Sequence, residues 1–258
     1  MAKMEKEQAR VISQEMLAAG IYSMWIQTKD IAAEAVAGQF ISVYCKDGAK
    51  LLPRPISICE VNKEEGTLRI VYRVVGGGTT EMSGYVSGDD IDILGPLGNG
   101  FMQREGKKAI LIGGGIGIPP MVQLGKELKN IVKVQTVAGY RDELFLTDEL
   151  EKNGDVYIAT EDGSTGTKGT VIDAIKACAV TGDVIYACGP TPMLRAIKEY
   201  ALANDIECQI SLEEKMACGI GACLGCVCKS KEKDHHTNVN NKRICKDGPV
   251  FLAQEVEL

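Results

Sequence analysis

The pattern of apolar and polar positions changes twice along the chain. Residues 8–100 carry short apolar or partly alternating runs bounded by Gly and Asp, such as Gln39-Phe-Ile-Ser-Val-Tyr44 and Thr67-Leu-Arg-Ile-Val-Tyr-Arg73. Short strands at regular spacing predict a sandwich or barrel. The stretch Asp92-Ile-Leu-Gly-Pro-Leu-Gly-Asn-Gly100 is rich in turn residues and reads as a boundary. Beyond it, strand and helix patterns alternate. Lys108-Ala-Ile-Leu-Ile-Gly113 contains a fully apolar strand, and further strands are predicted over 132–138, 156–160 and 183–188. Helices are predicted over 119–129, 170–178 and 192–204. Such alternation implies a parallel sheet covered on both faces. From about residue 211 the chain is rich in cysteine, and 229–242 reads as an exposed polar loop. No internal repeat is present. Three pieces are therefore expected: a β domain over 1–101, an α/β domain over 102–210 and a small module over 211–258.

Composition narrows the class. An apolar share of 45% and a charged share of 25% are those of an ordinary globular protein. A net charge of −6, with no basic run interleaved with aromatics, argues against a nucleic-acid surface. The start, Met1-Ala-Lys-Met-Glu-Lys-Glu-Gln-Ala-Arg10, lacks the apolar run of a signal peptide. The longest uncharged stretch, 109–125, is broken by glycines and by Pro119 and Pro120, so it is not a membrane span. Ten cysteines would suit a disulfide framework in a secreted protein. Without a secretion signal, a reduced cytoplasmic setting is the better reading.

The cysteines carry the strongest chemical signal. Cys218-Gly-Ile-Gly-Ala-Cys223-Leu-Gly-Cys226, with Cys245 further on, has the plant-type C-x4-C-x2-C…C spacing of a [2Fe–2S] cluster. Gly219, Gly221 and Gly225 let the backbone wrap the cluster and aim N–H groups at sulfur. Cys228 is the rival fourth ligand; only two residues past Cys226, it does not easily reach across a cluster. His235 and His236 raise a Rieske-type alternative, or are simply part of a solvated loop.

Three further motifs point to nucleotides. Gly113-Gly-Gly-Ile-Gly-Ile-Pro-Pro120 follows a buried strand and opens a helix, where phosphate meets backbone N–H groups. Its bland reading is a tight strand–helix turn. Arg54-Pro-Ile-Ser57 offers a cation for a pyrophosphate, though a lone Arg is commonly a surface residue. Val71-Tyr-Arg-Val-Val-Gly-Gly-Gly-Thr79 adds a ring, a second cation and a glycine turn. Cys188-Gly-Pro-Thr-Pro-Met193 follows a strand on the same sheet edge; Cys188 there is either beside a nicotinamide or a small buried hydrophobe.

A β domain with R-P-x-S, then G-G-G-x-G-x-x-P, then C-G-P-x-x-M, resembles the ferredoxin–NADP reductase superfamily. The tail Lys215-Met-Ala-Cys-Gly-Ile-Gly-Ala-Cys-Leu-Gly-Cys-Val-Cys228 is similar to the electron-transfer subunits of class 1B dihydroorotate dehydrogenases. The resemblance implies an α/β plus β fold: a flavin-binding β-barrel, a parallel-sheet nucleotide-binding domain and a C-terminal [2Fe–2S] module. It implies FAD held by Arg54, Pro55, Ile56, Ser57, Val71, Tyr72, Arg73, Gly78 and Thr79. Cys218, Cys223, Cys226 and Cys245 would hold the cluster. Gly113, Gly114, Gly115, Gly117, Cys188, Gly189 and Pro190 would face NAD as substrate. Glu161 and Asp162, near the adenosine ribose, would repel the 2′-phosphate of NADP. The implied partner is an FMN-containing dihydroorotate dehydrogenase catalytic subunit, in a heterotetramer of two plus two, working in pyrimidine (UMP) biosynthesis. No residue is expected to act as a catalytic acid or base.

The chain departs from the superfamily in two places. Ile56 stands where an aromatic is usual, which leaves Tyr72 as the candidate stacking ring, and Leu258 offers no terminal aromatic. Two rivals remain at this level. One is a subunit of a related NAD(P)H–ferredoxin oxidoreductase or sulfide dehydrogenase. The other is an iron–sulfur sensor or assembly scaffold without flavin.

Overall fold

The computed structural model describes residues 4–233 and 238–258. Its first part is a closed antiparallel barrel of β1 (Glu5–Ala18), β2 (Ile21–Gln27), β3 (Phe40–Tyr44), β4 (Arg54–Asn62), β5 (Thr67–Arg73) and β6 (Asp90–Leu97). The strands are arranged β1-β2-β5-β4-β3-β6, and β6 pairs back onto β1. The period-2 alternation of a strand explains the interior. Met24 and Ile26 of β2, Ile41 and Val43 of β3, Leu68, Ile70 and Tyr72 of β5, and Ile91 and Ile93 of β6 all point into one core. Two short helices, α1 (Lys29–Glu34) and α2 (Gly77–Met82), close gaps between strands.

Two features differ from the sequence reading. The turn-rich stretch 92–100 is largely strand: β6 runs to Leu97 and closes the barrel. Its register explains how Gly and Pro fit there. Phe40 pairs with Leu97 but Ser42 with Leu94, so Gly95 and Pro96 form a bulge opposite Ile41. A proline lacks the N–H that a regular ladder would use, and a bulge tolerates it. The second feature is β5, which the sequence shows as partly alternating but which is buried on both faces through Tyr72. Its outer face rests on the next domain, whose core includes Val71 and Cys59.

That next domain is a sheet of β7 (Ala109–Gly114), β8 (Val134–Tyr140), β9 (Asp155–Thr160), β10 (Thr167–Lys168), β11 (Val184–Cys188) and β12 (Glu207–Ser211), all parallel, in the order β10-β9-β8-β7-β11-β12. The helices are α3 (Pro119–Leu128), α4 (Thr147–Glu151), α5 (Val171–Ala177) and α6 (Thr191–Ala203). One sheet face packs on α3 and α4 through Met121, Leu124, Leu128 and Leu150. The other packs on α5 and α6 through Ile175, Leu194 and Ile197. The helix over 170–178 is bounded as the sequence suggested: Thr170 caps α5, with Asp173 completing a capping box.

The cysteine segment contains a hairpin, β13 (Val227–Lys229) with β14 (Asn241–Arg243), and ends in β15 (Val250–Leu252). β15 pairs antiparallel with β12 and extends the central sheet. The segment is wedged between the two larger units. Its Met216, Cys226, Ile244 and Cys245 share a core with Phe40 and Leu97 from the outside of the barrel and with α6. Among the described residues, no helix is long and apolar enough to cross a membrane.

Candidate functional site

One cleft of about 690 Å³ opens where the three units meet. Its walls are Arg54–Ser57 of β4, Val71–Arg73 of β5, Thr79 of α2, Phe40 of β3, Ile116 of the glycine loop and residues 211–216. The volume falls within the range of small-molecule and cofactor sites. Sequence motifs more than 150 residues apart thus face one another.

Arg54 is aimed by backbone. Its Nη1 donates to the carbonyls of Lys50 and Leu52, and its guanidinium lies against Gly78. No carboxylate among the described residues pairs with it, which leaves its charge available to an anionic ligand. Thr79 contributes differently from the expectation of a ligand hydroxyl. Its Oγ1 accepts from the N–H of Val75 (2.9 Å) and Gly76 (3.2 Å) and donates to the Gly76 carbonyl (3.0 Å). It therefore fixes the turn before α2. Tyr72 also differs. Its ring is in the barrel core, stacked on Tyr22 at 6.0 Å and 19°, with its hydroxyl donating to Gln14 Oε1 at 2.7 Å. The Tyr72 ring is thus already stacked within the barrel, and Phe40 is the aromatic that β3 contributes to the cleft wall.

The strand order reverses between β7 and β11, and in such sheets ligands bind at that switch point. The loops after the two strands are in close contact there. A Cβ on Gly117 would overlap the backbone of Cys188, and one on Gly114 would overlap Met193 Sδ. Close packing thus accounts for these two glycines, and for Gly113 against Ile118. Gly115 differs: it has φ +53 and open space beside it. Gly189 packs against Gly114 and Met193, while Pro190 is exposed and caps α6. Glu161 and Asp162 follow β9 on the same edge and are exposed. Asp162 Oδ1 accepts from Ser164 N at 2.9 Å.

Cys188 is fully buried. Burial, and then the nearby Glu213 carboxylate, push its thiol well above the ordinary range, against a hydrogen bond with Ser211. Glu213 was not visible in the sequence as a site residue. It reaches the cleft from the end of β12. Its side chain is exposed to the open cleft, and desolvation by the surrounding protein raises its carboxyl. Ser211, Leu212 and Met216 were missed for the same reason, since only the fold brings them to the barrel.

The cysteine loop continues directly from this wall. Its sulfurs collect backbone donors: Cys218 Sγ accepts from Ala222 N at 3.3 Å, Cys245 Sγ from Gly221 N at 3.1 Å, Cys223 Sγ from Gly225 N at 3.4 Å and Cys226 Sγ from Cys245 N at 3.4 Å. The sulfurs neighbour one another in two pairs, Cys218 with Cys223 and Cys226 with Cys245. Burial works against the Cys218 thiolate, but backbone donors from Ile220, Cys223 and Ala222 outweigh it and lower its pKa. Burial and the neighbouring Cys226 raise that of Cys245. Cys223 is exposed, while Cys226 and Cys245 are buried. A single tetrahedral metal with sulfurs at about 2.3 Å would hold all of them about 3.8 Å apart. Among the described residues no three cysteine sulfurs come within 4.8 Å of one another. Two pairs, side by side, suit a dinuclear group. Cys228 lies on β13 opposite Lys242 and packs against the module's core. His235 and His236 lie outside the described residues.

The family description "Iron-sulfur cluster binding domain of dihydroorotate dehydrogenase B" matches residues 213–257. The dihydroorotate dehydrogenase B (NAD(+)) electron transfer subunit of Caldanaerobacter subterraneus subsp. tengcongensis is 43% identical over 251 residues, covering 97% of this chain and 98% of that one. Its counterpart in Listeria monocytogenes is 45% identical over 261 residues, covering 99% and 100%. Among solved structures, a chain of an NADH-dependent reduced ferredoxin-NADP oxidoreductase, described for flavin-based electron bifurcation, superposes with TM-score 0.86. It has 30% identity, over 97% of this chain and 90% of that one. A ferredoxin NADP+ reductase from Neisseria gonorrhoeae with bound FAD and NADP shares the fold, with TM-score 0.65 and 17% identity over 79% and 92%. Relatives above 40% identity align over nearly their whole length, and on that ground the chain belongs to the dihydroorotate dehydrogenase B (NAD(+)) electron transfer subunit family.

Proposed function

We propose that this chain carries electrons between NAD+ and the FMN of a dihydroorotate dehydrogenase catalytic subunit, through FAD and a [2Fe–2S] cluster, in pyrimidine biosynthesis. The observation that carries this reading is the cleft bounded by the barrel strands, the switch-point loop and the segment running into the cysteine loop. Flavin, when bound, exchanges electron pairs with a nicotinamide and single electrons with a cluster. The chain's residues bind, orient and insulate; none is needed as a proton-abstracting base.

The residues present fit these groups. Arg54, with no acidic partner among the described residues, suits the pyrophosphate of FAD, while Pro55, Ile56, Ser57, Val71 and Arg73 supply the wall against its ring system. Tyr72 and Thr79 complete that wall, and Gly78 leaves room for the Arg54 guanidinium beside it. Gly113, Gly114, Gly115 and Gly117, with Cys188, Gly189 and Pro190, form the edge that NAD would meet. Glu161 and Asp162 disfavour a 2′-phosphate there. Cys218 and Cys223 would hold one iron, and Cys226 and Cys245 the other. The roles divide as a flavin barrel over 1–101, a nucleotide domain over 102–210 and a cluster module over 211–258, the last anchored through β15. The cysteines need a reducing compartment, and we assign the protein to the cytoplasm. Its partner would be the FMN-containing catalytic subunit, in a heterotetramer of two plus two.

A second reading, a subunit of an NADH-dependent ferredoxin–NADP oxidoreductase, has the structural likeness in its favour. Sequence identity is higher to the dihydroorotate dehydrogenase relatives. A flavin-free sensor does not explain the cleft. Reconstitution separates these readings. The purified chain alone should pass electrons from NADH to a dye and leave dihydroorotate untouched. With an FMN-containing catalytic subunit, dihydroorotate should reduce NAD+. Dihydroorotate oxidation by the isolated chain would refute the division of labour, and coupling to reduced ferredoxin in place of dihydroorotate would favour the second reading.

A further inference from the structure

Among the described residues, one buried side-chain polar atom has no hydrogen-bond partner: Ser42 Oγ. Such atoms are rare in folded proteins and ask for an explanation. Ser42 is wholly buried. It lies in the middle of β3, where Ile41 and Val43 point into the barrel and the alternation turns Phe40 and Ser42 outward. Phe40 joins the core shared with the cysteine segment. The Ser42 hydroxyl meets the same segment at Gly219, where a Cβ would sit 3.0 Å from Oγ. Gly219 follows Cys218 directly and has φ +69, so the loop turns there and brings its sulfurs together. The cross-strand neighbours of Ser42 are Pro55 and Leu94, neither of which has a side-chain acceptor. Ser42 does not line the cleft, although Phe40 and Pro55 do. The hydroxyl therefore faces the cysteine loop and not the flavin wall, and among the described residues it has nothing to donate to.

We propose that the Ser42 hydroxyl donates a hydrogen bond to an inorganic sulfide of the [2Fe–2S] centre, and so raises its reduction potential. This rests on the cluster assignment above. The physical argument is charge. One-electron reduction places additional negative charge on a group whose sulfurs are already anionic, so a fixed donor stabilises the reduced form more than the oxidised one. The donor here is held by a strand ladder on both sides, between β4 of the flavin wall and β6. It costs no reorganisation when the charge arrives. Ser42 is then a positioning and tuning residue that sets the step in potential between the two electron carriers.

The test uses the holo chain and its Ser42→Ala, Ser42→Gly and Ser42→Thr variants. Iron content and visible spectra report assembly, a redox titration followed by EPR reports the midpoint potential, and resonance Raman in H2O and D2O reports hydrogen bonds to sulfur. The expected result is an assembled cluster in Ser42→Ala with a lower midpoint potential and a smaller deuterium shift of the Fe–S stretches. Ser42→Thr, which keeps the donor, should return both towards wild type. Should the alanine variant not assemble, Ser42→Gly is compared in the same way. A full cluster with unchanged potential and unchanged deuterium shift overturns the role of Ser42 and leaves the cluster assignment standing. Wild-type protein without a [2Fe–2S] spectrum overturns both.

Discussion

Gly78 lies so close beneath the guanidinium of Arg54 that a Cβ on it would overlap Nε and Cζ. The absent side chain is what lets the arginine rest against α2 while Lys50 and Leu52 hold its other edge. Gly78→Ala should therefore displace Arg54 without removing its charge. Arg54→Ala removes the charge itself, a loss of about 1.5–3 kcal/mol for a hydrogen-bonded ion. That corresponds to roughly ten- to a hundredfold weaker FAD binding. Both variants should lose FAD on dilution and keep their iron, measured as flavin and iron per chain. Full flavin occupancy in both would remove Arg54 from the FAD site.

The pairing of sulfurs makes a sharp ligand test. Single Ser replacements at Cys218, Cys223, Cys226 or Cys245 should each lose or distort the cluster, while Cys228→Ser, placed on β13 against the module core, should keep it. Cluster-free variants should retain NADH-to-dye activity and lose the dihydroorotate-coupled reaction. If Cys228→Ser loses iron while Cys245→Ser retains it, the assignment is wrong.

Arg69 ties the barrel to the nucleotide domain. Its Nε donates to Ser23 Oγ at 2.8 Å and its Nη1 to Glu149 Oε1 on α4 at 2.9 Å, with Glu60 at 3.6 Å and the Trp25 ring 5.8 Å away. Arg69 is buried, but its acidic partners keep partial access to water and can rehydrate when it is gone. Arg69→Ala should cost about 1–3 kcal/mol of stability by urea denaturation. Glu149→Ala should cost less, because Glu60 remains. The double variant should lose less than the sum, since the two share one network.

Glu81 carries a predictable pH dependence. Burial raises its carboxyl, but the Lys50 ammonium, the Lys46 N–H and the Tyr85 hydroxyl outweigh this and bring it to about 2, from an ordinary 4.5. A depressed carboxyl contributes stability that is fully present above the unfolded value and lost as pH falls through the folded one. The difference in melting temperature between wild type and Glu81→Gln should be constant above pH 5. It should shrink as pH falls from about 4.5 towards about 2. A difference that persists unchanged in acid would mean that Glu81 acts by shape alone.

Much of this protein was legible because its signals are local. The C-x4-C-x2-C run places three candidate cluster ligands within one loop, and Gly219 and Gly221, both at positive φ, provide its turns. The apolar run at β7 and the Pro-initiated α3 each fit within a few residues, so strand and helix positions in the second half followed from their local patterns. What the linear pattern left open depends on register and docking. Whether 92–100 is turn or strand depends on the bulge opposite Ile41, which exists only when β6 pairs with β3. Tyr72 looked like a stacking ring until strand alternation put it inside the barrel beside Tyr22. Phe40, Ser42 and Glu213 are unremarkable in sequence. They acquire their positions because the outside of the barrel, the end of β12 and the cysteine loop are packed against one another. A side chain's chemistry is written in its residue type, but its neighbours across 170 positions are chosen by burial and hydrogen bonding of the whole fold.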